Sequence, residues 1–309
     1  MESDFLHWLR ERLPPHPLLK LGIGDDAAIL ATAGRGDIVA TTDLIADGVD
    51  FHLDMDVPRR IGHKALAINL SDLAAMAARP LAAVVALNLP RQGGMKLAVG
   101  VYEGILPLAE RFHIAIAGGD TNSWEGPLVV SVTALGEVTA DGPLTRRGAQ
   151  PGDRIIVTGA FGGSILGRHL DVQPRVEEAL LLNQRYRLHA GIDCSDGLSL
   201  DLSHICEQSC CGAVVDVNRV PIAAAAVELS KQRAEEVSPL DHALSDGEDF
   251  ELILAVPPDS AQRMLAGQPL ENVPLTDIGE FVAESGLWQR DSSGTKRPLS
   301  AKGFEHRFT

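Results

Sequence analysis

The chain has 309 residues, and its 27 Lys and Arg against 42 Asp and Glu give a formal net charge of −15 at pH 7. A surface this acidic repels phosphate backbones and anionic lipids, which argues against nucleic acid or a membrane as the main partner. The hydrophobic content of 45% supports packed cores. The length favours two domains, because single cores stop growing at roughly 250–300 residues.

Neither a membrane span nor an export signal is predicted. The longest apolar stretch, PLAAVVALNLP, has 11 residues, whereas roughly 20 are needed to span a bilayer. The segment MESDFLHWLR is charged and lacks the basic-then-apolar layout of a signal peptide. These features predict a cytoplasmic protein.

In the first half, predicted helices and strands alternate. A short helix ends in a Pro-rich segment before Leu19, and GIGDDAAIL then forms a Gly/Asp turn that leads into an apolar run. The pattern next predicts a strand at 37–43, a helix at 59–79, a buried strand at 81–89, a helix at 94–112 with a bend or break near Gly104 and Pro107, and strands at 114–117 and 128–138.

The segment GPLTRRGAQPGD predicts a domain boundary, which gives domains 1–142 and 143–309. Beyond it we predict a strand at 154–158, a helix from Gly162, helices at 175–188 and 198–209, a strand at 213–217, a helix at 223–236 and a strand at 250–256. Strands separated by helices throughout predict an α/β or α+β chain.

Acidic residues concentrate in Gly-, Ser- and Thr-rich junctions at the ends of predicted strands: Asp25, Asp26, Asp43, Asp120, Asp193 and Asp196. Asp and Gly are ordinary turn formers, and Asp196 would cap the helix that follows it. Turn formation does not explain Asp72, which lies in an otherwise apolar helix where an unpaired carboxylate is costly. The set therefore favours a Mg²⁺ site, with hydroxyl oxygens from Thr41 and Thr42.

The standard nucleotide motifs do not fit this sequence. G-x-x-x-x-G-K-[ST] does not occur, which excludes a P-loop NTPase, and GIGDDA lacks the third glycine of a dinucleotide fingerprint. GAFGGSILG follows a strand, so its backbone N–H groups could cradle a phosphate. Glycines at such a position more often serve packing.

The four cysteines are Cys194, Cys206, Cys210 and Cys211. Cys206 and Cys210 would share one helix face, as a metal-binding pair does. No accompanying Cys or His pair has zinc spacing, which favours small buried hydrophobic residues in a reducing compartment.

Taken together, these motifs resemble the thiamine-monophosphate kinase family, of the superfamily that includes aminoimidazole ribonucleotide synthetase and selenophosphate synthetase. Nine motifs carry the resemblance in the correct order: GIGDDAA, TTDLIADGVDF, GHKALAINLSDLAAMAARP, AGGDT, RRGAQPGD, VTGAFGGS, IDCSDGLSLDL, SDGEDFEL and GFEHRF. One of them alone is weak, but nine in order along nearly the whole chain are highly specific.

The resemblance implies an α/β (α+β) fold of two domains. Its N-terminal mixed sheet with helices binds ATP and metal and pairs with its twin in a homodimer, and its C-terminal domain is α/β and sandwich-like. It implies ATP-dependent phosphorylation of thiamine monophosphate to thiamine diphosphate by direct γ-phosphoryl transfer with several Mg²⁺ ions. The alternatives are another ATP-dependent synthetase of this superfamily, or a nucleotide-binding protein that has lost acceptor phosphorylation.

The resemblance also implies site residues. The implied metal ligands are Asp26, Thr41, Thr42, Asp43, Asp72, Asp120, Asp193 and Asp196, of which Asp43, Asp120 and Asp196 are also the candidate catalytic residues. The implied ATP contacts are Gly119, Arg146 and Ser195. Donor and acceptor are both phosphates, so Mg²⁺ and a bidentate Arg146 would offset their repulsion in an acidic protein. The acceptor phosphate is ionised near neutral pH, so we assign no general base.

Three positions on the acceptor side depart from the family pattern. Asp50 replaces a family His, with His52 two residues further on. The segment SDGED keeps Glu248, the implied thiamine contact, but loses one glycine. Phe304 stands where an aromatic residue, often Trp, would stack on the thiamine ring. These departures bear on acceptor binding more than on ATP or metal binding.

Overall fold

The computed structural model describes residues 16–22, 24–32, 36–232 and 237–305. The elements of the first half are β1 (Leu19–Leu21), β2 (Ala28–Leu30), β3 (Ile38–Ala46), α1 (Pro58–Ala75), β4 (Ala78–Pro90), α2 (Gly94–Arg111), β5 (Ala115–Trp124) and β6 (Val129–Val138). They form a six-stranded sheet in the order β1-β2-β3-β6-β4-β5. The neighbours β4 and β5 pair in parallel across the α2 crossover, and the other described neighbours are antiparallel.

Helix α1 is the central helix of the first half, and it begins with Pro58 at a position where a missing N–H costs nothing. It packs against β3, β4, β6 and α2. Two glycines allow the close contact with α2, because a Cβ on Gly62 would lie 1.8 Å from the carbonyl oxygen of Val101, and one on Gly104 would lie 1.8 Å from that of Arg59. The α2 helix is continuous through Pro107.

The elements of the second half are β7 (Arg154–Thr158), α3 (Val176–Arg185), β8 (Ala190–Asp193), α4 (Leu198–Ser209), β9 (Gly212–Asp216), α5 (Ala224–Gln232), α6 (Pro239–Ser245), β10 (Leu252–Val256), α7 (Pro258–Gly267), β11 (Leu275–Val282), β12 (Gly286–Arg290) and β13 (Lys296–Pro298). Short 3-10 helices lie at Ser164–Leu166, Arg168–Leu170 and Val217–Arg219. The seven-stranded sheet has the order β13-β12-β9-β11-β7-β10-β8. Its strands β9 and β12 are parallel.

The second sheet is covered on both faces. Its strands β7 and β10 and the edge strand β8 are buried almost along their whole length. Side chains on one face, such as Ile156 and Leu254, join a hydrophobic core that continues through α1 into the first half. Those on the other face, such as Ile155 and Ile253, pack in a second core with Leu198 and Leu202 of α4. Helix α1 of the first half also contacts β8.

The α/β class with two mixed sheets is confirmed, but several predicted elements differ. The helix predicted from Gly162 is wrong: the left-handed φ values of Gly162 and Gly163 (90° and 73°) break the chain into 3-10 turns. The strand predicted at 114–117 runs on to Trp124. The helix predicted to residue 79 ends at Ala75, since Ala77 has a φ of 48° and β4 starts at Ala78.

Two predictions fall wholly or partly on residues outside the described ranges. The N-terminal helix lies there, and Leu19, at the predicted end of the Pro-rich segment that follows it, starts β1. The last residues of the helix predicted at 223–236 also lie there, and its described part is Ala224–Gln232. Within the described residues, no helix combines the length and the apolar character that crossing a membrane requires.

Candidate metal and phosphate site

Three carboxylates from three different elements meet where α1 faces β8. Ligand oxygens of Asp26, Asp72 and Asp193 lie within 4.8 Å of one another. Asp26 precedes β2, Asp72 lies in α1, and Asp193 ends β8. The Asp26 side chain is only 1% exposed. We call these three residues the acidic cluster.

Two hydroxyl groups orient the acidic cluster. Thr41 on β3 donates a short hydrogen bond to Asp72. Ser71, next to it in α1, donates a short hydrogen bond to Asp193. Alternation along β3 puts Thr41 on the buried face of the sheet. The hydrogen bonds therefore hold two of the carboxylates at the junction between the two halves.

The electrostatics of the cluster disfavour its charged form. Burial, followed by the charge of Asp26, raises the pKa of Asp193 to about 8. Burial, together with the nearby charges of Asp50 and Asp196, raises the pKa of Asp43 to about 6. Burial and the charge of Asp43 also raise the pKa of Asp72 well above its ordinary value. The negative charges of Asp43 and Asp196 thus add to the electrostatic repulsion around the cluster. A bound cation would offset this repulsion.

Arg146 brings a positive charge to this site from the segment between the two sheets. Its Nη2 donates to Oδ1 of Asp26 at 2.6 Å. Its backbone N–H donates to both carboxylate oxygens of Asp25, at 3.1 and 3.2 Å. Burial and the charge of Asp26 raise the pKa of Asp25 to about 7, against the opposing effect of Arg146. The guanidinium therefore stands at the edge of the carboxylates, where a bound phosphate would meet it.

The site fits a magnesium ion by its donor set and by its unpaired oxygens. In the described part of the chain, Oδ2 of Asp26 and Oδ2 of Asp43 are buried without a hydrogen-bond donor. Buried carboxylate oxygens without a donor are costly. Carboxylate and hydroxyl oxygens are the ligands that Mg²⁺ prefers, and the cluster offers no sulfur or nitrogen ligand. A bound divalent cation would remove the cost.

Sequence reasoning missed Asp201, which orders the loop that carries Asp196. Oδ2 of Asp201 accepts the backbone N–H of Asp196 at 3.1 Å and that of Gly197 at 2.9 Å. Oxygens of Asp196 and Asp201 and a ring nitrogen of His204 lie within 4.8 Å of one another. The available signal was an acidic residue in the first turn of α4, where it can reach back to preceding N–H groups.

Three of the predicted ligands and contacts do not lie at the acidic cluster of their own chain. Thr42 is exposed, and its hydroxyl bonds to the carbonyl oxygen of Val132 and to Thr133. Gly119 and Asp120 lie on the edge strand β5, nine of whose ten residues are exposed. Strand order puts β5 three strand spacings from β3, or about 14 Å at the usual separation.

The predicted acceptor residues converge near the Asp196 loop. The backbone N–H of Glu248 donates to the carbonyl oxygen of Ser195 at 2.6 Å, and that of Phe304 donates to the carbonyl oxygen of Asp196 at 3.0 Å. Phe304 is exposed. Three separate parts of the sequence, around residues 195, 248 and 304, thus meet beside the carboxylates.

Asp50, the residue that replaces the family His, is engaged within its own turn. Its Oδ2 accepts the backbone N–H of Ala46 at 2.8 Å. His52 is exposed, and its backbone N–H donates to Asp56. Asp50 therefore contributes charge to the field around Asp43 while its carboxylate closes the loop after β3.

The glycine-rich segment 159–167 packs against carboxylates of its own chain. The N–H of Gly162 donates to both oxygens of Asp249 at 2.8 and 3.0 Å, and the N–H of Gly163 donates to Asp246 at 2.8 Å. Arg168 forms a short ion pair with Asp249. These N–H groups are occupied, which favours the packing interpretation over a phosphate cradle.

The cysteines do not form the helix-face pair that the sequence left open. Cys210 is exposed and left-handed (φ 53°) at the end of α4, whereas Cys206 is buried. The N–H of Cys211 donates to the carbonyl oxygen of Cys206 at 3.0 Å, which closes the helix end. Cys194, Cys206 and Cys211 all lie in the second core.

Known proteins match both halves of this chain. The model for the AIR synthase related protein N-terminal domain matches residues 24–138, and that for its C-terminal domain matches residues 150–288. The thiamine-monophosphate kinase of Rhodopirellula baltica is 44% identical over 313 aligned residues, which cover 99% of this chain and 97% of the relative. The chain belongs to the thiamine-monophosphate kinase family. The resemblance inferred from the nine motifs is confirmed.

Solved structures agree with this family assignment. The crystal structure of thiamine-monophosphate kinase from Stenotrophomonas maltophilia K279a is 34% identical, with a TM-score of 0.73 over 93% of this chain and 94% of that one. The structure of AaThiL complexed with AMPPCP and TMP has a TM-score of 0.81 over 99% of this chain and 96% of that one. At 24% identity, it supports the fold alone.

Position 246 of the SDGED segment, where the family pattern has a second glycine, does not require one. Asp246 stands at the glycine position and has a φ of −68°, which any residue adopts. The retained Gly247 has a φ of 75°, where a Cβ is unfavourable. Asp246 in turn accepts the N–H of Gly163 and a hydrogen bond from His242. The chain therefore lost a glycine at a position that does not need its conformational freedom.

Proposed function

We propose that this protein uses ATP to phosphorylate thiamine monophosphate to thiamine diphosphate. The bond between the γ-phosphorus and the β–γ bridging oxygen of ATP breaks, a bond to an oxygen of the acceptor phosphate forms, and ADP leaves. Membership of the thiamine-monophosphate kinase family supports this reaction. The observation that carries the proposal is the group of buried carboxylates with unpaired oxygens beside Arg146.

We assign the metal ligands to the carboxylates that the structure brings together. Asp26, Asp43, Asp72, Asp193 and Asp196 would hold several Mg²⁺ ions, with Thr41 orienting Asp72. The ions would supply charge neutralisation for the phosphates of donor and acceptor. Arg146 would bind the triphosphate, and Ser195 would contact it from the loop after β8.

We further propose that the enzyme works as a homodimer that pairs through its first sheet. A long exposed edge strand is a template for pairing with another chain. Gly119 and Asp120 are predicted ATP and metal residues, yet they lie on this edge, remote from the cluster of their own chain. A second copy paired through this edge would cover the strand and place Gly119 and Asp120 at the interface between the two copies. In this proposal the domains span residues 1–142 and 143–309.

For the acceptor we propose a subsite formed by Asp50, Glu248 and Phe304. Glu248 would accept from the thiamine moiety, and the exposed ring of Phe304 would stack on it. Asp50 borders Asp43 and would stand beside the acceptor phosphate without donating to it, because a carboxylate does not donate hydrogen bonds at neutral pH.

The decisive test is turnover of purified protein with ATP, Mg²⁺ and thiamine monophosphate. Equal amounts of ADP and thiamine diphosphate are expected, together with loss of both in EDTA and recovery on adding excess Mg²⁺. Unphosphorylated thiamine is the control acceptor and is expected to give no diphosphate. Calorimetric ATP binding without turnover would instead identify a nucleotide-binding protein that has lost acceptor phosphorylation.

A further inference from the structure

Lys64 is a buried cation that links the two acceptor-side segments. It lies on α1, and its side chain is 1% exposed. Its Nζ donates to the carbonyl oxygen of Asp50 at 2.8 Å and forms a short ion pair with Glu248. Asp50 belongs to the loop after β3, and Glu248 belongs to the segment before β10. One ammonium group therefore joins the first half of the chain to the second.

The segment around Glu248 needs such an anchor. Glu248 and Phe250 are non-glycine residues with φ values of 52° and 51°, a conformation that persists only where its surroundings enforce it. Their backbone N–H groups bond to the carbonyl oxygens of Ser195 and Cys194 at 2.6 and 2.8 Å. These bonds fix the backbone, and the pair with Lys64 fixes the side chain. The Glu248 side chain is 34% exposed, so it is held by the buried Lys64 on one side and is open to solvent on the other.

A second ion pair on the same helix provides a natural contrast. Arg60, one turn before Lys64 on α1, pairs with Asp171 of the second half through hydrogen bonds of 2.7 and 3.0 Å. The two side chains are 37% and 59% exposed, and pairs of this kind contribute little to stability. Arg60 also bonds to the carbonyl oxygen of Gly167 and does not bond to either acceptor-side segment. Both pairs connect the halves, but the Lys64 pair holds a proposed acceptor contact.

We propose that Lys64 is the positioning residue of the acceptor subsite. It fixes the Glu248 carboxylate and the backbone at Asp50 in the geometry that receives the acceptor, and it acts through these groups. This inference rests on the proposed kinase function, in which Glu248 contacts thiamine. Preorganised contacts lower the cost of ordering groups when the ligand binds. Loss of Lys64 therefore weakens acceptor binding and leaves the ATP and metal side unchanged.

The kinetic test compares Lys64→Met with Arg60→Met as the matched control. Lys64→Met is expected to raise KM for thiamine monophosphate about tenfold or more while KM for ATP changes less than about twofold. Arg60→Met is expected to leave both KM values within about twofold. The double variant Lys64→Met/Glu248→Gln is expected to show less than the sum of the two single effects on KM for thiamine monophosphate, because each single change already breaks the shared ion pair. Equal effects on both KM values, or additive effects in the double variant, would overturn the proposal.

Hydrogen exchange separates this inference from the function on which it rests. Segments 46–52 and 245–250 are expected to exchange faster in Lys64→Met than in wild type and to be unchanged in Arg60→Met. A wild type without turnover refutes the kinase function, whereas unchanged exchange in Lys64→Met refutes the anchoring. If Lys64→Met does not fold, Lys64→Gln, too short to reach both partners, is expected to show the same KM split and the same exchange pattern. Faster exchange with an unchanged KM in an active enzyme refutes the positioning role.

Discussion

The protein contains two groups of buried acids that differ in how their charges are met. In the acidic cluster, burial and neighbouring carboxylates raise the pKa of Asp193 and Asp72, and among the described residues unpaired oxygens remain on Asp26 and on the neighbouring Asp43. Behind the glycine-rich segment, Arg175 binds both oxygens of Glu251 at 2.5 and 2.8 Å. Within the described ranges, the first group and the neighbouring Asp43 thus leave two carboxylate oxygens without a hydrogen-bond donor. In the second group, side chains and backbone N–H groups of the protein donate to the carboxylates.

The second group, which we call the paired network, comprises Asp246, Asp249 and Glu251 with their partners. Asp249 accepts from the N–H of Gly162 and from Arg168, and Glu251 also accepts from Thr158 at 2.6 Å. Burial raises the pKa of Asp249 to about 7 against the opposing charge of Arg168. Burial and residue type are similar in the two groups. Whether the protein itself supplies the donors decides which group is free to bind an external cation and which one holds the fold.

The largest expected effect is on turnover when Asp43, whose charge acts on the acidic cluster, is neutralised. Asp43→Asn is expected to reduce formation of thiamine diphosphate roughly a thousandfold, because an amide neither neutralises nor ligates Mg²⁺ as a carboxylate does. Glu251→Gln in the paired network is the matched control, and its turnover per folded molecule is expected to stay within about threefold. Equal losses of turnover in the two variants would remove the distinction between the two groups.

The paired network should show the largest effect on stability. Arg175→Met is expected to lower the free energy of unfolding by about 3–5 kcal/mol, because it leaves Glu251 buried without its cation. Arg91→Met is the surface control, since Arg91 and Glu125 are exposed, and it should cost about 1 kcal/mol or less. Urea unfolding measures both variants. A cost for Arg175→Met as small as that for Arg91→Met would show that the network does not support the fold.

The residues of the acidic cluster could be singled out from the sequence because their signal is local. Asp72 in an apolar helix and Asp193 at a strand end are each anomalous within a few residues of chain. The fold class was accessible for the same reason, since the apolar run of β4 and the helical spacing of apolar residues in α1 are each visible within one segment. Such patterns depend on periodicity, which neighbouring residues determine.

What the sequence concealed depends on contacts between distant residues. Lys64 and Glu248 are 184 positions apart, and nothing in GHKALAIN marks Lys64 as the partner of a carboxylate in the second half. The loss of a helix after Gly162 follows from left-handed glycines whose N–H groups bond to Asp249 and Asp246 more than 80 residues later. Both features became visible only once the two halves packed together.

The acidic cluster also predicts how metal-free stability depends on pH. The pKa of Asp193, about 8 in the fold, lies above the ordinary aspartate value of 3.8. Its protonation therefore stabilises the fold fully below the lower value, and this stabilisation is lost as the pH rises through about 8. In EDTA, Asp193→Asn is thus expected to melt at least about 3 °C above wild type at pH 8.5, with a smaller difference at pH 5.

Magnesium provides the control for this pH dependence. Adding Mg²⁺ at pH 8.5 should raise the Tm of wild type more than that of Asp193→Asn, because binding to the folded state alone stabilises it. Differential scanning calorimetry gives both values. A metal-free wild type that is more stable than Asp193→Asn at pH 8.5 would show that Asp193 already has sufficient partners and belongs with the paired network.

The smallest expected effect concerns Asp50, which has features of both groups. Its charge raises the pKa of Asp43, as in the acidic cluster, yet its Oδ2 accepts the N–H of Ala46, as in the paired network. Asp50→Asn keeps an oxygen that can accept this N–H, so KM for thiamine monophosphate is expected to change less than about threefold. Asp50→Ala removes the acceptor and opens the turn, so it should raise KM further. If Asp50→Asn instead raises KM as much as Asp50→Ala, the charge of Asp50 itself takes part in acceptor binding, and the acidic cluster extends to the loop after β3.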